Sequence, residues 1–93
     1  MYRVIVTPAA MADVERLEDW LLEHGAPYGR ELGAKLADAS ATLVDYPERA
    51  PLSRGDRYRE LYVAFRSNQY VIQYRVRGPT VVIARVFHSL EDR

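Results

Sequence analysis

The spacing of apolar residues changes part-way along the chain, and this change constrains the fold more than any other feature of the sequence. Up to about residue 45 apolar residues recur every three or four positions, as on one face of a helix. From about residue 58 they alternate with polar residues, as in half-buried strands. The sequence therefore predicts helices in the first half and an antiparallel sheet in the second.

The first half opens with a short strand that leads directly into a helix. The β-branched run Tyr2–Val6 predicts the strand, and Thr7-Pro8 supplies a capping hydroxyl followed by a proline suited to the first helical position. From residue 9 to residue 24 one apolar stripe continues along the helix. Its exposed face is predicted to be negative, because most of the remaining positions are acidic: Asp13, Glu15, Glu18 and Asp19.

A second helix follows after a short joint. Gly25 suits the end of the first helix, and Pro27 suits the first turn of the next, which is predicted to run to Asp45. So short a joint predicts an antiparallel helical hairpin. Tyr46-Pro47 ends the second helix, and the chain to about Asp56 is predicted to be a loop.

The second half is predicted to form three strands joined by tight turns. The strands alternate over residues 58–65, 70–76 and 81–87, with turns at Arg66-Ser67-Asn68 and Gly78-Pro79. The order is β-α-α-β-β-β. This pattern predicts one α+β domain over residues 1–93, in which the helical hairpin covers one face of a small antiparallel sheet and the other face is open. Four tyrosines of this region are either interface residues or ordinary half-buried strand residues: Tyr58, Tyr62, Tyr70 and Tyr74.

The net charge of zero hides a division between the two halves. Residues 1–50 carry five basic and nine acidic side chains, whereas residues 51–93 carry eight arginines and four acidic side chains. This asymmetry predicts an acidic partner for the second half, or else neutralisation within the domain itself. The chain has no cysteine and no apolar run of the length that spans a bilayer, so we expect a protein of the reducing cytoplasm without membrane association.

The sequence gives little sign of catalytic chemistry. It has no phosphate-binding glycine loop or nucleophile elbow, and neither histidine, His24 or His88, has carboxylates at metal-ligand spacing. We therefore expect no catalytic residue, no metal and no cofactor. His88 is either a general acid or base or, as is commoner at a strand end, a local hydrogen-bonding group. Arginine is the abundant polar residue of the sheet, and it can bind phosphates or carboxylates.

The end of the chain resembles that of ParE toxins, in the RelE/ParE superfamily of bacterial toxin-antitoxin systems. The residues that carry the resemblance are Tyr74-Arg75-Val76 in one strand, Ile83 and Arg85-Val86 in the last, and His88 followed by an acidic residue. The element order is also that of the superfamily. The resemblance implies a toxin that a cognate antitoxin holds in check.

Two branches of the superfamily imply different activities. RelE toxins resemble this chain in fold and cleave mRNA on the ribosome with sheet lysines and arginines and a tyrosine near the C-terminus. Here the corresponding positions hold Tyr62, Ala64 and Val71, and no tyrosine follows His88. The resemblance therefore favours the ParE branch, which implies inhibition of DNA gyrase without catalysis. The alternatives are a RelE-like endonuclease and a degenerate binding module.

The resemblance also implies a ParD-like antitoxin with an acidic C-terminal segment, through which alone the toxin would meet DNA. An amphipathic helix on the hairpin and an extended piece near a sheet edge are the two physical modes of binding. The residues predicted to bind the antitoxin are Val14, Leu17, Trp20, Leu21, Arg57, Arg59 and Arg75. The residues predicted to bind the target are Arg66, Arg85, His88 and Asp92.

Overall fold

The helices and strands follow the predicted order in the computed structural model, which describes residues 1–53, 55 and 57–91. Two 3-10 turns, Gly29–Glu31 and Thr42–Val44, flank the second helix. The main elements are β1 (Arg3–Val6), α1 (Pro8–Glu23), α2 (Leu32–Ala41), β2 (Arg59–Phe65), β3 (Asn68–Arg77) and β4 (Thr80–His88).

The four strands form one mixed sheet in the order β1-β4-β3-β2. The last three strands are the predicted antiparallel meander, and β1 pairs with β4 in parallel. In the described part of the chain, the strand residues of the core cluster come from one face of β2, β3 and β4, against which the helices pack. The α+β prediction is therefore confirmed, with the helical hairpin on one face of the sheet.

Thr7 joins the start of α1 to the last strand. Its Oγ1 accepts a hydrogen bond from the Ala10 amide at 3.1 Å, the capping role predicted for it. The same hydroxyl donates to the carbonyls of Ile83 and Ala84, at 2.9 and 3.0 Å. Pro8 occupies the first turn, where its missing N–H has no helical partner to lose. The cap therefore fixes the helix both internally and against β4.

The second helix is shorter than predicted. A 3-10 turn precedes it, and Pro27 lies outside both elements. The hairpin approaches closely at this turn, because a Cβ on Gly29 would lie 3.0 Å from the Glu18 carbonyl oxygen and the Leu21 Cβ. Glu18 then caps α2 from the neighbouring helix, since its Oε2 accepts from the Gly33 amide at 2.8 Å.

A β-bulge interrupts the pairing of β3 with β4. Gln73 pairs with Arg85 while Tyr74 pairs with Ile83, so Ala84 is an extra residue in β4. The bulge shifts the alternation by one position, and Val86 is consequently buried with Ile83. Strict alternation of apolar and polar residues does not predict this shift.

The tyrosines of the sheet divide between the two faces. Tyr70 and Tyr74 are fully buried, whereas Tyr62 is 46% exposed. The Tyr74 hydroxyl donates to the Pro47 carbonyl at 2.6 Å and so fastens the loop after the helices to the sheet. Burial raises the pKa of Tyr74. Tyr70 and Tyr74 are thus core residues and not interface residues. No helix among the described residues is long and apolar enough to cross a membrane.

Candidate interaction surfaces

The α1 residues predicted to bind an antitoxin separate into buried and exposed ones. Leu17 and Leu21 are 5% and 3% exposed and belong to the core, so their side chains present almost no surface. Val14 is half-buried against that core. Trp20 is 53% exposed and stacks on His24, with ring centroids 3.9 Å apart. Trp20 is therefore the main apolar surface that these four residues offer.

A groove of about 780 Å³ runs between α1 and the segment after β4. Trp20 lies on one side and Leu90, which is 88% exposed, lines it as well. No pattern in the sequence predicts a role for Leu90, because a single leucine in a polar tail carries no periodicity. The full lining is Arg16, Leu17, Asp19, Trp20, Glu23, Asn68, Tyr70, His88, Leu90 and Glu91.

His88 makes local hydrogen bonds through both ring nitrogens. Its Nδ1 accepts from the Leu90 amide at 3.1 Å, and its Nε2 lies 3.0 Å from Asn68 Oδ1. Glu91 completes this turn, since its Oε1 accepts from the His88 amide at 2.7 Å and its Oε2 binds Arg16 at 2.9 Å. The imidazole therefore holds the tail in place, which is the second of the two roles named for His88, that of a local hydrogen-bonding group.

Arg85 is bound by a buried carboxylate on α1. Its Nε and Nη2 donate to Asp13 Oδ2 and Oδ1 at 2.7 and 3.0 Å, and Asp13 Oδ2 also accepts from the Val86 amide at 2.9 Å. Burial alone would raise the pKa of Asp13, but the hydrogen bonds from Arg85 and Val86 and the charges of Arg85 and Arg16 together lower it. The prediction that Asp13 lies on the exposed face is wrong.

The sequence did contain a signal for this buried carboxylate. Asp13 lies three residues after Ala10 and four before Leu17, both of which are buried, so it occupies the apolar stripe of α1. An acidic residue in such a stripe needs a partner, because an unpaired buried charge is costly. The bulge in β4 turns the buried Val86 amide towards α1, where it donates to Asp13 beside the Arg85 guanidinium.

The remaining predicted arginines lie apart from one another. Arg59 is partly buried and donates to the carbonyls of Glu48 and Ala50, so it anchors the loop before β2. Arg66 is half-exposed at the β2–β3 turn, pairs with Glu31 at 3.3 Å and lies over the Tyr28 ring. Arg57 is exposed. Asp92, predicted to bind the target, lies outside the described residues.

The sheet face that points away from the helices carries Arg75. Its neighbours in sequence, Tyr74 and Val76, pack into the core, so alternation directs Arg75 and Arg77 to the opposite face. Arg75 is exposed, and its guanidinium lies 5.8 Å from the Tyr58 ring. Among residues 1–53, 55 and 57–91, no cluster of side chains could hold a metal ion.

Comparisons with known proteins agree with this architecture. The fold matches that of a chain from a solved structure titled "Chromosomal ParDE TA system from P. aeruginosa" with a TM-score of 0.79 at 19% identity, covering 95% of this chain and 96% of that one. The profile described as "ParE toxin of type II toxin-antitoxin system, parDE" matches residues 4–93. The chain therefore belongs to the ParE toxin family of type II toxin-antitoxin systems.

Curated relatives of similar length carry the other name of the superfamily. The chain is 36% identical to Toxin RelE1 of Caulobacter vibrioides over 99% of this chain and 98% of the relative. It is 38% identical to Toxin RelE3 of the same organism over the whole of both chains. These alignments extend from end to end, so the similarity includes the helices, the sheet and the tail.

Proposed function

We propose that this toxin inhibits DNA gyrase by binding to it, without a catalytic step of its own, and that a cognate ParD-like antitoxin neutralises the toxin. Membership of the ParE family carries the proposal. The antitoxin would bridge toxin and DNA, because a chain with no net charge has little of the electrostatic attraction on which direct DNA binding depends.

The chemistry of the sheet supports action by binding. The resemblance to RelE toxins implies basic residues for cleavage at the positions that hold Tyr62, Ala64 and Val71 here. Arg85 remains, but two of its nitrogen atoms are held by Asp13. His88 uses both ring nitrogens to hold the tail. The basic and titrating groups of the last strand are therefore engaged within the fold.

The groove beside α1 supports an antitoxin partner. Trp20 and Leu90 line the same groove and are both largely exposed, and large aromatic side chains are common anchors of protein interfaces. An amphipathic helix could place an apolar side chain between them. Trp20 is thus the α1 residue that we retain as an antitoxin contact, since Val14 packs against the core and does not line the groove.

A supercoiling assay with purified toxin tests the gyrase proposal. The toxin should block supercoiling by gyrase, and addition of the antitoxin should restore it. Arg66→Ala should reduce inhibition, since this guanidinium is half-exposed at the β2–β3 turn. The matched control is Arg30→Ala, which removes another exposed arginine paired with carboxylates but belongs to the helical hairpin and not to the sheet. Unaltered supercoiling at all toxin concentrations would contradict the proposal.

A RelE-like endonuclease is the second candidate, and the names of the curated relatives favour it. Incubation of the toxin with translating ribosomes and a defined mRNA separates the two activities. Cleavage of the mRNA together with normal gyrase activity would establish the endonuclease. A toxin with neither activity that still binds its antitoxin would be a degenerate binding module.

A further inference from the structure

Three arginines lie close together at one end of the sheet face that the helices leave uncovered. Arg3 pairs in register with Thr80, and Thr80 pairs with Arg77, so these residues form one row across β1, β4 and β3. Tyr2 and Val4 pack against the core, which directs Arg3 to the uncovered face. Along β3, Arg75 is two residues from Arg77, which is about 7 Å. Across the sheet, Arg3 is two strand spacings from Arg77, which is about 10 Å.

These three arginines lack the carboxylate partners that other arginines have. Within the described part of the chain, no ion pair involves Arg3, Arg75 or Arg77, and all three side chains are exposed. The arginines that do pair with carboxylates are Arg16, Arg30, Arg59, Arg66 and Arg85. Neutralisation within the domain therefore accounts for those five. Arg49 and Arg57 also have no ion pair among the described residues, and Arg49 donates instead to Thr42. Arg3, Arg75 and Arg77 are the unpaired arginines that the strand register places together on the open face.

Apolar side chains adjoin this basic cluster. Ile5 pairs in register with Val82, and Val82 pairs with Arg75, so the row next to Arg3 and Arg77 is mostly aliphatic. Ile5 is 43% exposed although it lies in a strand. A surface that alternates guanidinium and aliphatic groups suits a polypeptide with acidic and apolar residues better than a bare phosphate backbone.

We infer that the basic end of the uncovered sheet face, formed by Arg3, Arg75 and Arg77 around Ile5 and Val82, binds an acidic segment of the antitoxin. This inference rests on the proposed antitoxin partnership and adds a second contact, on the opposite side of the sheet from Trp20. Carboxylates of the segment pair with the guanidinium groups, and an apolar residue between them covers Ile5. The antitoxin thus holds the toxin from both sides.

Binding of the purified cognate antitoxin tests the inference by isothermal titration calorimetry. Arg75→Glu/Arg77→Glu should weaken binding at least tenfold, because carboxylates would then face carboxylates. Arg3→Gln, on a different strand, should weaken it about threefold. The control is Lys35→Glu, which reverses an exposed charge on α2 and should stay within about twofold of the original affinity. Equal melting temperatures establish that the variants fold.

A charge exchange strengthens the experiment. Lysines in place of the acidic residues of the antitoxin segment should weaken binding to the original toxin and recover it with Arg75→Glu/Arg77→Glu. Failure to recover while both proteins fold would overturn the inference, as would unchanged affinity in the double variant. Loss of binding to a duplex DNA or RNA probe, with antitoxin affinity intact, would assign the cluster to nucleic acid and also overturn it.

The inference and the proposed function fail in different assays. Arg75→Glu/Arg77→Glu should still inhibit supercoiling but escape neutralisation by the antitoxin. If the original toxin leaves gyrase unaffected, the gyrase proposal is wrong, while the affinity comparison still decides the role of the arginine cluster. If gyrase is inhibited and the double variant is neutralised as well as the original toxin, the inference alone is wrong.

Discussion

Replacement of Asp13 by alanine should cost this domain much of its stability. The carboxylate is 4% exposed and accepts hydrogen bonds from the Arg85 guanidinium and the Val86 amide. Alanine leaves that amide without its acceptor at the bulge and leaves Arg85 without its buried partner. Because Arg85 is half-exposed, water can replace Asp13 around the guanidinium, so the Val86 amide is the larger loss.

The magnitude follows from these two losses. A buried amide that loses its acceptor costs about 1–3 kcal/mol, and a hydrogen bond to a charged group contributes about 1.5–3 kcal/mol before water replaces part of it. Together they predict a fall of roughly 3 kcal/mol in the free energy of unfolding, which for a domain of this size lowers Tm by roughly 12–24 °C. The total free energy of unfolding of a native protein is only about 5–15 kcal/mol.

Chemical denaturation monitored by circular dichroism measures this effect. Glu15→Ala is the matched control, since Glu15 is an exposed acidic residue two positions further along the same helix, and its loss should stay within about 0.5 kcal/mol. Asp13→Asn keeps one acceptor oxygen and should fall between the two. A loss below about 1 kcal/mol for Asp13→Ala would refute the dependence of the bulge on this carboxylate.

The pH dependence provides a second check on the same residue. The pKa of Asp13 is lowered in the fold from its ordinary value of 3.8, so the unfolded chain takes up the proton first as the pH falls. The stabilisation from the ionised carboxylate is therefore complete at neutral pH and is lost as the pH falls below 3.8 through the folded pKa. The stability difference between the original protein and Asp13→Asn should shrink over that range. A difference that does not change with pH would refute the role of the charge.

Three further predictions concern the loop, the hairpin and the groove. Tyr74→Phe removes the buried hydrogen bond to Pro47 and should destabilise the fold by about 1–2 kcal/mol in denaturation, with faster proteolysis of the loop; unchanged values would contradict the anchoring role. Gly29→Ala should cost about 1–3 kcal/mol, because the new Cβ meets the backbone of Glu18, and an unchanged Tm would contradict so close an approach. Trp20 is the only tryptophan, so its fluorescence should shift to shorter wavelength on antitoxin binding, and Trp20→Ala should weaken the complex more than the fold; equal losses would reject the interface role.

The element order could be predicted from the sequence because each boundary has a local physical cause. Thr7 and Pro8 start α1, and Gly78 adopts a positive φ of 57° at the turn between β3 and β4. Arg66 also adopts a positive φ, of 58°, at the predicted turn between β2 and β3. The parallel pairing of β1 with β4 could not be predicted in this way, since it depends on contacts between residues almost eighty positions apart.

The buried contacts of Asp13 with Arg85 and Val86 were less predictable, since they depend on one inserted residue in β4. Ala84 is unremarkable in the sequence, yet as the bulge it reverses which of Arg85 and Val86 faces the core. Simple alternation therefore misplaces everything after Ile83. The burial of Asp13 can be explained only once that bulge is known, because the bulge turns towards α1 the Val86 amide that donates to its carboxylate.

The carboxylates of Asp13 and Glu91 along β4 also oppose self-association of the protein. Beyond Ile83 the strand β1 no longer covers the side of β4, and the amides of Val86 and His88 donate there to Asp13 and Glu91. An uncovered strand margin is a template on which further chains can assemble into fibrils, and negative charge at such a margin discourages it. Strong acid, which protonates Asp13, should therefore promote self-association as well as unfolding.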